Sequence, residues 1–353
     1  MGDLEQPDVQ LSSVVPSTSG GMQALLLYVV AVLMFILLYW FYKPQPDTAA
    51  PSTRGGKASL NRRRPVDKKQ KRSLFAVLGI SQEDLKHFEA FRDKFSHFDD
   101  VTDSIKRAGL ETCGLIIGVD FTASNEWQGR KTFRGRNLHT VSGNKINNPY
   151  QKVISILGQI LEPFSDDKLI PAYGFGDSAT QDHNIFPLRA DDQPCVGFED
   201  VLQCYNNVAR KVTLSGPTNF APIINEAIHI AKHSKKYFIL VIIADGQVTE
   251  EQLTIDAIVE ASKYPISIIV VGVGDGPWEA MDEFDNHIPR RKFDNFQFVN
   301  YHQVISKAKF PDAAFALQAL MEIPDQYKTI KYLGYIGDET SKGHKTEEKP
   351  KGD

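Results

Sequence analysis

Gly118-Val119-Asp120-Phe121-Thr122-Ala123-Ser124-Asn125 follows Leu115-Ile116-Ile117, a short apolar run that reads as a buried strand. Asp120 is therefore expected at or just past the strand's C-terminal end, where open α/β sheets place their sites. Asp120, Thr122 and Ser124 stand at alternate positions and can aim three hard oxygen donors at one point, a set that suits Mg²⁺ better than Zn²⁺. Taken alone, the same residues also read as a strand-end Asp with hydroxyls bonding the backbone of a turn.

Two later stretches favour the metal reading. Ser215-Gly216-Pro217-Thr218-Asn219-Phe220-Ala221-Pro222 is a glycine and proline loop that hands the chain to a helix, and Thr218 is its candidate for a third hydroxyl. Tyr237 to Ala244 (Tyr-Phe-Ile-Leu-Val-Ile-Ile-Ala) is a strong strand run, and Asp245-Gly246 ends it. A second strand-end carboxylate in a parallel sheet faces the same crevice as Asp120.

In this order, Asp120-x-Thr122-x-Ser124, then Thr218, then Asp245 resemble the metal-ion-dependent adhesion site of von Willebrand factor A domains, with Thr122 where most such domains carry Ser. The wording is closer still to the copine version, in Val119 to Asn125, Tyr173-Gly174-Phe175-Gly176-Asp177, Ile269 to Gly274 and Glu322-Ile323-Pro324-Asp325-Gln326. It is also similar to the copine-type domain of plant RING ubiquitin ligases, in Ala244-Asp245-Gly246-Gln247-Val248-Thr249 and Gly274-Asp275-Gly276-Pro277-Trp278. The resemblance runs from about Phe95 to about Gly337. It implies a von Willebrand factor A-like (Rossmann-like) α/β fold. It also implies a site for Mg²⁺, or Mn²⁺ or Ca²⁺, formed by Asp120, Thr122, Ser124, Thr218 and Asp245, and partners that offer an Asp or Glu to the metal. Catalysis is not implied by the fold.

Composition sets outer limits. A chain of 353 residues, 42% hydrophobic and 24% charged, can hold one large globular domain with appendages. A net charge of -4 argues against a general nucleic-acid binder. Cys113, Cys195 and Cys204 are too few and too irregular for a disulfide framework or a zinc module, and this usage fits a reducing compartment. Cys113, beside the first strand, reads as a small buried hydrophobe.

Residues 1–23 carry acidic but no basic side chains, with Ser, Pro and Gly in a pattern expected of disorder. A myristoylation reading of Met1-Gly2 meets Gln6 where Ser or Thr is usual. Residues 24–42 contain no charge and as a helix span roughly 28 Å, about the hydrocarbon thickness of a bilayer, with Tyr39, Trp40 and Tyr42 as an interfacial belt. A cleaved signal peptide is the alternative, but the apolar core is long, its flank is acidic and no small-residue cleavage site follows.

The linker 43–72 carries ten basic residues against Asp47 and Asp67. The positive-inside rule then predicts a single-pass membrane protein with its N-terminus outside and its C-terminal domain cytoplasmic. Arg62, Arg63, Arg64, Lys68 and Lys69 are candidates for contact with anionic lipid heads, and equally for a stop-transfer signal in a solvated linker.

Residues 73–110 are expected to be a helical lead-in, the second helix running from Asp99 to Ala108 and ending at Gly109. The two C2 domains of typical copines have no room before it, so permanent tethering is expected in place of calcium-driven docking. Across the expected domain 111–337, strands and helices alternate, which predicts a mostly parallel sheet with helices on both faces. Helices are expected over Pro149–Phe164, Gly197–Val212, Pro222–His233, Thr249–Lys263 and Pro311–Met321, and strands over Leu169–Tyr173, Ile266–Val273 and Asn295–Val299. The first turn of the Pro222 helix places positive dipole near the site. Asp177 reads as a turn carboxylate or a member of the metal rim. Gly272-Val273-Gly274-Asp275-Gly276-Pro277 has its third glycine misplaced for a dinucleotide loop. The tail, 338–353, is expected to be disordered.

The expected function is a membrane-anchored cytoplasmic scaffold, not an enzyme, that binds proteins through the metal, at membrane-cytoskeleton or adhesion complexes. Two alternatives stand beside it: a ubiquitin-ligase-related adaptor without its own RING, since no Cys follows Cys204, and a scaffold that needs no metal. An aspartate-nucleophile phosphoryl-transfer enzyme fits poorly, because Thr122 stands where that class has a second Asp.

Overall fold

The computed structural model describes residues 97–143, 148–234, 236–246, 248–288 and 291–337. In chain order the elements are α1 (Phe98–Arg107), β1 (Gly114–Asp120), α2 (Pro149–Leu161), β2 (Leu169–Ile170), β3 (Ala172–Phe175), β4 (Ile185–Pro187), β5 (Cys195–Val196), α3 (Gly197–Ala209) and α4 (Ala221–Ser234). There follow β6 (Phe238–Ala244), α5 (Glu251–Ala261), β7 (Ile266–Gly272), α6 (Glu279–His287), β8 (Phe296–Asn300), α7 (Tyr301–Ser306), α8 (Pro311–Leu320) and α9 (Ile323–Tyr332).

The apolar runs form the centre of a six-stranded sheet ordered β4-β3-β1-β6-β7-β8. All pairings are parallel except that of edge strand β4 with β3. Every residue of β6 and β7 is buried, because helices cover both faces. Successive side chains alternate between the two cores. Ile239, Val241 and Ile243 pack with Tyr150, Phe164 and Phe315 on one side, and Leu240, Ile242 and Ala244 pack with Ile223, Ile258 and Phe284 on the other. Each fully buried Ile or Leu contributes about 1.5–3 kcal/mol, so the sheet's middle strands supply much of the fold's stability.

The topology locates the crevice. From β1 the chain moves outward to β3 and β4, then returns to place β6 on the other side of β1 and continues to β7 and β8. The direction of travel reverses between β1 and β6, which opens a gap at their C-terminal ends.

Most expected elements are present within a few residues. Gly109, past the end of α1, has φ +105°, as a helix-terminating glycine does. The expected strand Leu169–Tyr173 instead divides at Pro171: β2 pairs antiparallel with β5, and β3 begins at Ala172 and joins the main sheet. Proline lacks the N–H a ladder needs, so the strand resumes only after it. The helix expected to reach Val212 ends at Ala209. Helices α6, α7 and α9 had no counterpart in the sequence reading; in α9, Pro324 occupies the first turn, where a helix loses nothing by a missing N–H.

Among the described residues no helix is long and apolar enough to cross a membrane. The segment 24–42, the linker 43–72 with Arg62, Arg63, Arg64, Lys68 and Lys69, the acidic 1–23, the first lead-in helix and the tail 338–353 all lie outside the described residues.

Candidate metal centre

Asp120 ends β1, and Asp245 directly follows β6. Val119 is level with Ile243 in the parallel pairing, so the two carboxylates stand at one edge of adjacent strands, both fully buried. The Thr122 N–H donates to Asp120 Oδ1 at 2.8 Å and turns the chain into a short 3-10 turn, Ala123–Glu126, that carries Ser124. Thr122 Oγ1 lies 2.9 Å from Ser124 Oγ and accepts from Thr218 Oγ1 at 3.5 Å. The Thr218 loop is held beside the first by the Ala123 N–H, which donates to the Ser215 carbonyl at 2.7 Å, and by a parallel bridge between Thr122 and Ser215. The Thr249 N–H donates to the Thr218 carbonyl at 2.9 Å, tying in the segment after Asp245. The structure thus brings all five expected residues, Asp120, Thr122, Ser124, Thr218 and Asp245, into one cluster.

The cluster is short of positive charge. Asp120 Oδ2 and both carboxylate oxygens of Asp245 are buried without a hydrogen-bond partner. Burial raises the Asp120 carboxyl above the usual carboxylate range against the opposing hydrogen bonds of Thr122. Burial raises the Asp245 carboxyl as well, and repulsion from Asp120 adds to it. Two carboxylates cannot both be ionised in so dry a place unless a cation joins them. Orphaned carboxylate oxygens beside a row of hydroxyls are a hard-oxygen donor set, and Mg²⁺, Mn²⁺ and Ca²⁺ fit it.

A layer of residues missed in the sequence supports the Asp120 loop. His139 Nε2 lies 2.8 Å from the Asp120 carbonyl and its Nδ1 lies 2.9 Å from Tyr205 Oη. A carbonyl only accepts, so Nε2 carries the proton and Nδ1 accepts from the Tyr205 hydroxyl. The ring is stacked between Phe121, at 4.5 Å, and Tyr150, at 4.2 Å. Burial pushes His139 down to about 3, the Asp120 carbonyl opposing, so the imidazole is neutral. Buried Asn125 donates to the Thr122 carbonyl at 3.1 Å and accepts from the Tyr150 hydroxyl at 2.7 Å. Asn125 was the last residue of the quoted motif. His139, Tyr150 and Tyr205 had no signal, since each reaches its partner only through folding.

The neighbouring loop after β7 is locked in place rather than open to a phosphate. Asp275 accepts from the N–H groups of Lys131 and Thr132, both at 2.9 Å, and from Thr132 Oγ1 at 2.7 Å. Gly274 abuts Asp245 so closely that a Cβ there would lie 1.9 Å from the Asp245 carbonyl oxygen. The Asp177 carboxylate is taken up by Thr180, whose N–H and hydroxyl both donate to it, so it is the turn residue of the two readings. Gly176, with φ +82°, lets the Thr122 methyl group approach; a Cβ at 176 would meet Thr122 Cγ2 at 2.4 Å.

The copine family model matches residues 137–338. Copine family protein 2 of Caenorhabditis elegans is 51% identical over 271 residues, covering 76% of this chain and 3% of that protein. The E3 ubiquitin-protein ligase RGLG4 of Arabidopsis thaliana is 47% identical over 271 residues, covering 72% of this chain and 67% of that protein. Copine family protein 1 of C. elegans is 47% identical over 267 residues, covering 75% of this chain and 24% of that protein. This chain therefore spans only a small part of the two nematode relatives. Among solved structures it is similar to the manganese-loaded TRAP protein of Plasmodium vivax, at 14% identity, TM-score 0.37, over 56% of this chain and 72% of that one. It is also similar to a von Willebrand factor type A protein from Catenulispora acidiphila, at 10% identity, TM-score 0.36, over 62% and 43%. Scores that low add nothing to the topology seen directly. With the family model covering more than half of its residues, and curated relatives 51% and 47% identical over 76% and 72% of it, this chain belongs to the copine family.

Proposed function

We propose that the chain is a protein-binding scaffold that recruits partners through a divalent cation held by Asp120, Thr122, Ser124, Thr218 and Asp245. The observation that carries this reading is the set of three carboxylate oxygens, on Asp120 and Asp245, that are buried without partners beside the linked hydroxyls. Mg²⁺ is the expected ion, with Mn²⁺ or Ca²⁺ as substitutes. When bound, it supplies a coordination position that an Asp or Glu from a partner completes. The residues of the chain hold the ion, keep water from the carboxylates behind it and, through His139 and Asn125, fix the loop that presents it.

The test is capture of partners by the wild-type chain and by Asp120→Ala, with and without EDTA, alongside calorimetric titration of Mg²⁺, Mn²⁺ and Ca²⁺. The reading expects saturable heat from the wild type alone and loss of partners in the variant. Partners that bind both proteins equally, in EDTA as in Mg²⁺, leave a metal-independent scaffold.

Membrane attachment is the second half of the proposal, and it rests on the sequence of 24–42 and the basic linker. The chain spans the bilayer once, N-terminus outside, and displays its copine-type domain to the cytoplasm at membrane-cytoskeleton or adhesion complexes. Arg62, Arg63, Arg64, Lys68 and Lys69 add about 1 kcal/mol each against an anionic leaflet. Resistance of the full chain to alkaline extraction from membranes, lost on deletion of 24–42, is expected; extraction of the intact chain overturns it. A second reading, an adaptor in a ubiquitin-ligase complex, is favoured by relatives named E3 ubiquitin-protein ligases. It expects ubiquitin transfer only when a RING-bearing partner is added.

A further inference from the structure

Spacing along the chain gave no sign that two of the three cysteines meet. Cys195, in β5, is fully buried, and Cys204 is half-buried on α3. Asp200 lies one helical turn before Cys204 and so shares its face. Folding brings one donor atom from each of Cys195, Asp200 and Cys204 within 4.8 Å of the others.

The carboxylate between them is already oriented. Asp200 Oδ2 accepts from Arg189 Nη1 at 2.9 Å and from the Val196 N–H at 2.9 Å. Arg189 is itself fixed by the Pro194 carbonyl at 3.2 Å and by Asp191 at 2.9 Å. That leaves Asp200 Oδ1 to accept from the Cys204 thiol, whose Sγ lies at 3.7 Å. A tetrahedral thiophilic ion at ordinary bond lengths separates a sulfur and an oxygen ligand by about 3.5 Å and two sulfurs by about 3.8 Å. The donors need to move by no more than about 1 Å to meet those separations. Outer hydrogen bonds of this kind, on the oxygen that does not ligate, are how metal-binding carboxylates are held.

We propose that Cys195, Asp200 and Cys204 form a second cation site, for a thiophilic d¹⁰ ion such as Zn²⁺ or Cd²⁺, separate from the hard-oxygen cluster at Asp120. Two thiolates and one carboxylate carry three negative charges against the ion's two positive ones, and Arg189, shared with Asp191, offsets part of the remainder. Thiolate is the ligating form, so each ion bound displaces the two thiol protons to solvent, and no electron changes hands. Half-exposed Cys204 provides the way in, and water completes the coordination as in open three-ligand zinc sites. This site does not depend on the adhesion-type reading of the Asp120 cluster.

The test uses the reduced full chain in excess Mg²⁺, which occupies hard-oxygen sites, titrated with Cd²⁺ and read by the ultraviolet sulfur-to-metal charge-transfer band. One equivalent saturates the band in the wild type, with release of two protons. The band is lost in Cys204→Ser. It remains in Asp200→Asn and in Arg189→Gln, with affinity reduced by about 10- to 100-fold. Absence of a saturable band in the wild type overturns the proposal. So does a band of unchanged strength and affinity in Cys204→Ser, or affinities for Asp200→Asn and Arg189→Gln that match the wild type. Because the charge-transfer band reports only sulfur ligation, Asp120→Ala leaves it unchanged whether or not the Asp120 cluster binds metal.

Discussion

Asp245→Asn is the most informative change at the candidate metal centre, because it alters charge while keeping shape. Asp245 is fully buried and neither of its oxygens has a partner, and Asp120 beside it has one orphaned oxygen. Without metal, the wild type must hold a proton or two uncompensated charges there, and each unsatisfied buried group costs about 1–3 kcal/mol. The amide of the variant presents an N–H donor toward the carboxylate of Asp120 and relieves that cost. With Mg²⁺ at about 100 times its Kd, the wild type gains about 2.7 kcal/mol. For a domain of this size, at about 2–4 °C per kcal/mol, the melting temperature rises by about 5–11 °C. The expected pattern is a crossing. In EDTA the variant melts at or above the wild type; in Mg²⁺ the wild type rises by that amount and the variant by less than about 1 °C. Differential scanning fluorimetry of both proteins across a Mg²⁺ series measures it. Equal Mg²⁺ responses, or a variant well below the wild type in EDTA, refute the claim that this carboxylate pair awaits a cation.

Three further expectations come from the residues around the site. His139→Phe keeps the aromatic stack but removes the bonds to the Asp120 carbonyl and Tyr205; urea denaturation should show a loss of about 1–3 kcal/mol. The folded pKa of His139 is depressed to about 3, below its ordinary 6.5, so its neutral form favours folding above pH 6.5 and this advantage is lost as pH falls from 6.5 toward 3. That part of the acid slope in wild-type stability should be missing from His139→Phe. Gly176→Ala is expected to destabilise by about 1–3 kcal/mol through its positive φ and its clash with the Thr122 methyl. Thr122→Ser removes that methyl, so the double variant should recover part of the loss in a denaturation cycle, while Thr122→Ser alone keeps its Mg²⁺ response.

How much of this was legible in the sequence follows from the range of the forces involved. The strand and helix runs, the placement of Asp120 and Asp245 at strand ends and the spacing of Thr122 and Ser124 are local patterns, set by side-chain periodicity and by turn chemistry over a few residues. Thr218 was found the same way, from the glycine and proline loop before a helix. The break at Pro171 has a local cause, the missing N–H, within the expected strand Leu169–Tyr173. The starts of α6 and α9 were hidden because short amphipathic helices with a proline or an aromatic residue at the entrance look like loops.

What the sequence by itself determined is which residues carry oxygen, sulfur and charge, and in which local geometry each is held. Only the tertiary structure decided which of them meet. The reversal of strand order between β1 and β6 sets Asp120 beside Asp245, the wrap of α2 and α3 brings Tyr150 and Tyr205 against His139, and the short β5 lays Cys195 against the Asp200 face of α3. These contacts join residues far apart in the chain, and they exist because burying both faces of the sheet leaves those elements nowhere else to pack.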